Sequence, residues 1–186
     1  YVQISLFVYR TGVAMSVCKS NLELALSQEF IQSLIDKGVI YLWYYIYRPA
    51  GGDPSTELAL NLDEIQQLRQ YMVDARLKYD IVIIEAYGDE KGRGLCPTAT
   101  ALSPHINASG YIEPCPVIQF ATDNVRDKSL TEIYRDSAFL KDLKQEIPAK
   151  TSGCILMEDP KWLVNFTEKY NAQDTSGRGN EAERLN

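Results

Sequence analysis

Residues 39–47 read Val-Ile-Tyr-Leu-Trp-Tyr-Tyr-Ile-Tyr, nine positions almost without a break in β-branched and aromatic side chains. Such a run is too apolar for a strand with one wetted face and suits one buried on both sides, as in a parallel sheet. Its neighbours support that reading. Residues 13–17 form a second short apolar run after Thr11-Gly12, and Ile81-Val-Ile-Ile84 forms a third after Asp80. Between them lie two helical patterns. Ser27 is placed to cap a helix with Phe30, Ile31, Leu34 and Ile35 at helical spacing, ended by Gly38. Asn61 and Glu64 are spaced as a capping box before a stripe of Ile65, Leu68, Met72, Val73 and Leu77. Strand, helix, strand, helix, strand with crossovers of this length predicts parallel α/β architecture. Trp43, Tyr44, Tyr45 and Tyr47 then alternate between the two faces of that strand, with core packing as their role.

After Tyr87 the pattern changes. Residues 88–104 are rich in glycine and proline, and the charged turn at 88–92 reads as solvated, without chemistry of its own. Residues 105–115, His-Ile-Asn-Ala-Ser-Gly-Tyr-Ile-Glu-Pro-Cys, carry a hairpin signal with Ala-Ser-Gly as the turn. Ser129 and Glu132 form a second capping box. Short helices follow around Phe139, Leu140 and Leu143, and over 160–170 with Trp162, Leu163 and Phe166. Residues 171–186 hold so few apolar side chains that an extended or disordered tail is predicted. The organisation expected is 1–87, 88–170 and a tail from 171.

The net charge of −6 argues against a nucleic-acid binder or a protein drawn to anionic membranes. No apolar stretch approaches the roughly 20 residues of a bilayer span. The chain opens at Tyr1 inside an apolar run, residues 2–8, with no signal peptide pattern, which predicts a piece of a longer protein.

The chemistry-bearing residues are cysteines. Cys96, Cys115 and Cys154 each sit beside glycine or proline: Gly94-Leu-Cys96-Pro, Glu113-Pro-Cys115-Pro and Ser152-Gly-Cys154. Iron-ligating thiolates need a backbone that bends around a cluster and offers it N–H groups, and these residues permit such bends. Buried structural thiols are the alternative. Disulfides do not suit a chain this long and cysteine-poor, and zinc sites usually show paired Cys-x-x-Cys. Cys18 reads as an ordinary thiol at a strand end. His105, the single histidine, leaves little for histidine-based catalysis; a hydrogen-bonding role fits it better than that of a fourth ligand.

The segment from Cys96 through Ile106-Asn-Ala-Ser-Gly110-Tyr-Ile-Glu-Pro-Cys115-Pro, followed by Asn124-Val125, Ser129-Leu-Thr-Glu-Ile133 and Gly153-Cys154, resembles the auxiliary-cluster region of radical S-adenosylmethionine enzymes with a SPASM or twitch domain. The Tyr-Tyr-Ile-Tyr-Arg-Pro and Gly-Gly-Asp-Pro stretches between 41 and 57 resemble one subgroup of these proteins. The resemblance implies the last βα units of a partial (β/α)6 TIM-like barrel, then a small α+β module binding one auxiliary 4Fe-4S cluster through Cys96, Cys115 and Cys154. It also implies S-adenosylmethionine and a second 4Fe-4S cluster in the full-length protein, a reductant such as ferredoxin or flavodoxin, a peptide or small-molecule substrate, and a cytoplasmic setting. The Cys-x-x-x-Cys-x-x-Cys that holds the S-adenosylmethionine cluster is absent, so this chain alone is expected to be inactive in radical chemistry. A single-cluster electron-transfer or interaction module is the non-enzymatic alternative, and a plain α/β domain with reduced thiols is the third. Parallel sheets place ligands at the carboxyl ends of their strands. That makes Ser16, Asn21, Arg48 and Glu85 candidate contacts to S-adenosylmethionine or substrate, with Lys19 and Ser20 beside them; a solvated Arg48–Glu85 rim pair is the alternative.

Overall fold

The computed structural model describes residues 11–50, 55–89, 91–94, 96–100, 104–151, 153–179 and 181–185. The expectations for residues 2–8, the Gly-Gly-Asp-Pro stretch and Ser152 lie outside the described residues. The chain divides into two compact units, with the change at Gly92/Arg93.

The first unit contains β1 (Thr11–Val17), α1 (Leu22–Ala25), α2 (Gln28–Asp36), β2 (Val39–Ile46), α3 (Leu62–Lys78) and β3 (Val82–Glu85). The strands form one parallel sheet in the order β1-β2-β3, with Val13 beside Leu42 and Leu42 beside Ile83. The caps are those anticipated: Ser27 Oγ accepts from Phe30 N–H at 2.9 Å, and Asn61 and Glu64 bond each other's backbone at 2.7 and 2.9 Å. Gly38, at φ +77°, ends α2 in the left-handed region that favours glycine.

One pleat face of the sheet, with Val17, Leu42, Tyr44 and Ile83, packs on Ile31 and Leu34 of α2 and on Leu68, Met72 and Ala75 of α3 in one core. The opposite face is open among the described residues: Tyr41 and Tyr45 are 37 % exposed and Val82 60 %. This differs from the strand buried on both sides that composition predicts. Successive crossovers stepping the same way across a sheet lay their helices on one face, so the second face needs another layer. Leu77 also departs from its predicted stripe, being 89 % exposed, while Ala75 fills the core position.

The turn at 88–92 belongs to this unit rather than the next. Arg76 donates to the Asp89 carbonyl at 3.3 Å, and Gly88 lies so close to the Glu85 carboxylate that a Cβ there would sit 1.7 Å from Oε2. The boundary therefore falls later than Tyr87.

The second unit contains α4 (Pro97–Thr100), the hairpin β4 (His105–Ile106) and β5 (Ile112–Glu113), β6 (Phe120–Ala121), α5 (Leu130–Asp136), α6 (Ala138–Glu146), α7 (Ile155–Glu158), α8 (Pro160–Lys169), β7 (Gln173–Asp174) and α9 (Glu181–Leu185). His105 pairs with Glu113 across the hairpin, whose turn closes through Gly110 N–H to the Asn107 carbonyl at 2.9 Å. Gly110 adopts φ +86°.

Residues 171–185 are not the loose tail that their composition predicts. β7 pairs antiparallel with β6, the Thr175 hydroxyl donates to Glu113 at 2.6 Å, and Glu181 is buried against Arg178. Polar bonds to distant partners order this segment, and an apolar count registers none of them. Among the described residues no helix is long and apolar enough to cross a membrane.

Candidate metal centre

Cys96 stands just before α4, Cys115 follows β5, and Cys154 caps α7. Three segments far apart in sequence thus deliver their thiols to one hydrophobic core, shared with Ile118, Phe139, Leu143, Ile147 and Ile155. Cys96 and Cys115 are buried and Cys154 is partly buried. Cys18, Cys96, Cys115 and Cys154 form no disulfide with one another.

Cys115 has the most elaborated surroundings. Pro114 and Pro116 stiffen a tight turn that closes through Ile118 N–H to the Cys115 carbonyl at 3.2 Å. The same turn aims the N–H groups of Val117 and Ile118 at the Cys115 sulfur. The Thr98 hydroxyl also borders that sulfur and meets no other hydrogen-bonding partner, although it is buried. Burial nonetheless pushes the Cys115 thiol up to about 11, and the charge of a Cys154 thiolate nearby adds to the rise. These donors suit an anionic sulfur, yet without a counter-charge the proton stays on. A cation bound to the sulfur would supply that charge and release the proton.

Cys96 and Cys115 share one apolar cluster with Cys154 packed against it, N–H groups are directed at the Cys115 sulfur, and thiolates so placed are the donor type an iron–sulfur group takes. Among the described residues no three His, Cys, Asp or Glu side chains are grouped as around a single metal ion. Ligands of a cluster bind separate irons and stand further apart than ligands of one ion.

His105 contributes to another arrangement. Its Nδ1 lies 2.7 Å from Glu113, whose buried carboxylate also accepts from Asn107 Nδ2 at 2.9 Å and Thr175 Oγ at 2.6 Å. Glu113 thereby ties the hairpin to residues near the C-terminus.

The strand-end candidates sort differently from their sequence positions. Parallel pairing does bring the carboxyl ends of β1, β2 and β3 to one edge of the sheet. Asn21, however, is occupied with its own loop, donating to the Ser16 carbonyl at 2.9 Å and accepting from Cys18 N–H at 2.8 Å. Ser16, Lys19 and Ser20 are exposed, and Cys18 Sγ lies 3.1 Å from Ser20 Oγ in the same loop. The Arg48 guanidinium stacks 3.9 Å above the Tyr87 ring.

Glu85 is held not by Arg48 but by Arg69, whose Nε and Nη2 reach the carboxylate at 3.0 to 3.2 Å, and its side chain is 3 % exposed. The rim pair with Arg48 gives way to a buried ion pair with Arg69. Pleat parity is the reason: Glu85 shares the face of Ile83, which looks onto α3.

Sequence reasoning missed Thr98 and the Glu113 network. The second was within reach, because a hairpin turning at Ala-Ser-Gly sets His105 opposite Glu113.

Compared with protein-family models, with curated proteins and with solved structures, the chain matches none.

Proposed function

We propose that the second unit holds an auxiliary iron–sulfur cluster on Cys96, Cys115 and Cys154, and that the chain is the later part of a radical S-adenosylmethionine enzyme. In this reading the first unit supplies the last βα units of a partial barrel, and the remaining barrel residues hold S-adenosylmethionine and its own 4Fe-4S cluster. The observation that carries the proposal is the meeting of three separated cysteines in one core, with Val117 and Ile118 N–H groups turned to the Cys115 sulfur. The one-sided helix cover of the parallel sheet accords with barrel units, whose other face looks inward.

A bound cluster would supply a one-electron acceptor or an open iron site for a substrate donor. The protein's own part is to keep that site dry through Ile118, Phe139 and Leu143 and to stabilise the thiolate of Cys115 by hydrogen bonds. A reducing cytoplasm, a ferredoxin- or flavodoxin-type donor and a peptide or small-molecule substrate belong to the same proposal.

Anaerobic reconstitution with iron and sulfide tests it. The chain should take up both and show the broad visible absorption of a cluster. Cys96→Ala and Cys115→Ser should lose them, while Cys18→Ala keeps them. Full incorporation by Cys115→Ser, or equal loss in Cys18→Ala, would remove the ligand assignment.

A further inference from the structure

A cavity of about 170 Å³ lies in the second unit beside the cysteine core. Its walls include Pro114, Tyr134 and Leu140, its lining includes the buried Thr98, and Lys141 and Lys144 stand beside them on α6. Spaced three residues apart, the two lysines share one side of that helix. The carboxylates nearby are already engaged: Asp142 with Tyr170, Glu146 with Lys169, and Asp136, which feels the Lys141 charge, with Arg135 at 2.8 Å. Neither lysine has a carboxylate at ion-pair distance among the described residues.

Thr98 makes the case stronger than exposed lysines alone could. It is 5 % exposed, and its hydroxyl meets neither a nitrogen nor an oxygen. Its one hydrogen-bonding neighbour is the Cys115 sulfur, a weak acceptor, which leaves the hydroxyl poorly served in an apolar wall. The Cys115 sulfur borders it on one side and the cavity on the other.

We infer that this cavity is a binding site for a small organic carboxylate with an apolar body, its head held by Lys141 and Lys144 and its body against Pro114, Tyr134 and Leu140. The volume sets the size, since a cavity of about 150 Å³ accommodates a benzene ring. Apolar walls with a few convergent polar groups are what small-molecule sites share. The site lies outside the cysteine ligand set and stands whether or not iron is bound.

The test uses benzoate, with benzamide as its neutral counterpart and acetate as a head without a body. Each is titrated into the full chain, with and without reconstituted iron and sulfide, and followed by amide chemical shifts. Benzoate should saturate with a dissociation constant of about 1 mM, shifting residues around Leu140 and Pro114-flanking amides, in both preparations. The double variant Lys141→Gln/Lys144→Gln, changed only at exposed positions, should keep its spectrum and weaken benzoate at least about tenfold. Benzamide binding as tightly as benzoate would remove the lysines' role, and acetate binding as tightly would remove the cavity's. Absence of saturation by benzoate overturns the site altogether. Iron and sulfide content, measured on the same samples, reports separately on the cluster.

Discussion

Replacing Glu113 by alanine should loosen the hairpin and the C-terminal segment together. The carboxylate is fully buried and accepts from His105 at 2.7 Å, Asn107 at 2.9 Å and Thr175 at 2.6 Å. The His105 ring is 41 % exposed and can turn to water, so its share of the loss is small. Asn107 and Thr175 are only partly exposed, and each loses a bond to a charged acceptor, about 1.5 kcal/mol apiece. The vacated side-chain stem adds about 1 kcal/mol. Glu113→Ala should therefore cost about 4 kcal/mol. Glu113→Gln keeps an oxygen for Asn107 and Thr175 and can offer its amide to the histidine, so about 1 kcal/mol is expected. Because the chain has two units, unfolding should be followed within the second alone. Guanidinium denaturation read by Trp162 fluorescence in a Trp43→Phe background does this, since Trp43 belongs to the first unit. Exchange of the Thr175 amide, bonded to the Gln119 carbonyl at 2.9 Å, should accelerate in the alanine variant. Equal costs for the two variants, or less than about 1 kcal/mol for alanine, would refute the network as the tie between hairpin and C-terminal segment.

In the first unit, Arg69→Ala strands the buried Glu85 carboxylate and should cost about 3 to 5 kcal/mol, read by Trp43 fluorescence; the paired change Arg69→Met/Glu85→Leu should recover most of it. A cost near zero for Arg69→Ala would mean that Glu85 finds water or another cation. The thiol of Cys115 gives a pH dependence to the metal-free protein. Its folded-state value of about 11 lies above the ordinary thiol value of 9.0, so the fold prefers the neutral form. That stability is whole below about pH 9 and is lost as the pH rises toward 11. Denaturation midpoints of the second unit should fall across that window, and Cys115→Ala should flatten the fall. At pH 8, alkylation should reach Cys18 well before Cys115, checked by mass spectrometry of the digested protein.

What residues 11–185 disclosed in advance rests on neighbours a few positions apart. Ser27 and Phe30, Asn61 and Glu64, Ser129 and Glu132, and the Ala-Ser-Gly turn each complete their bonds within one turn of chain, so each was legible. The parallel order of strands followed from crossovers long enough for a helix. Tertiary structure alone decided matters that depend on remote partners. It turned Glu85 to Arg69, bound residues near 175 to Glu113 and Gln119, and gathered Cys96, Cys115 and Cys154 into one core. Among the described residues it also left one face of the sheet open, with Tyr41 and Tyr45 partly exposed. Composition counts how much apolar surface a segment owns; only the folded chain determines which surfaces and which polar groups find each other.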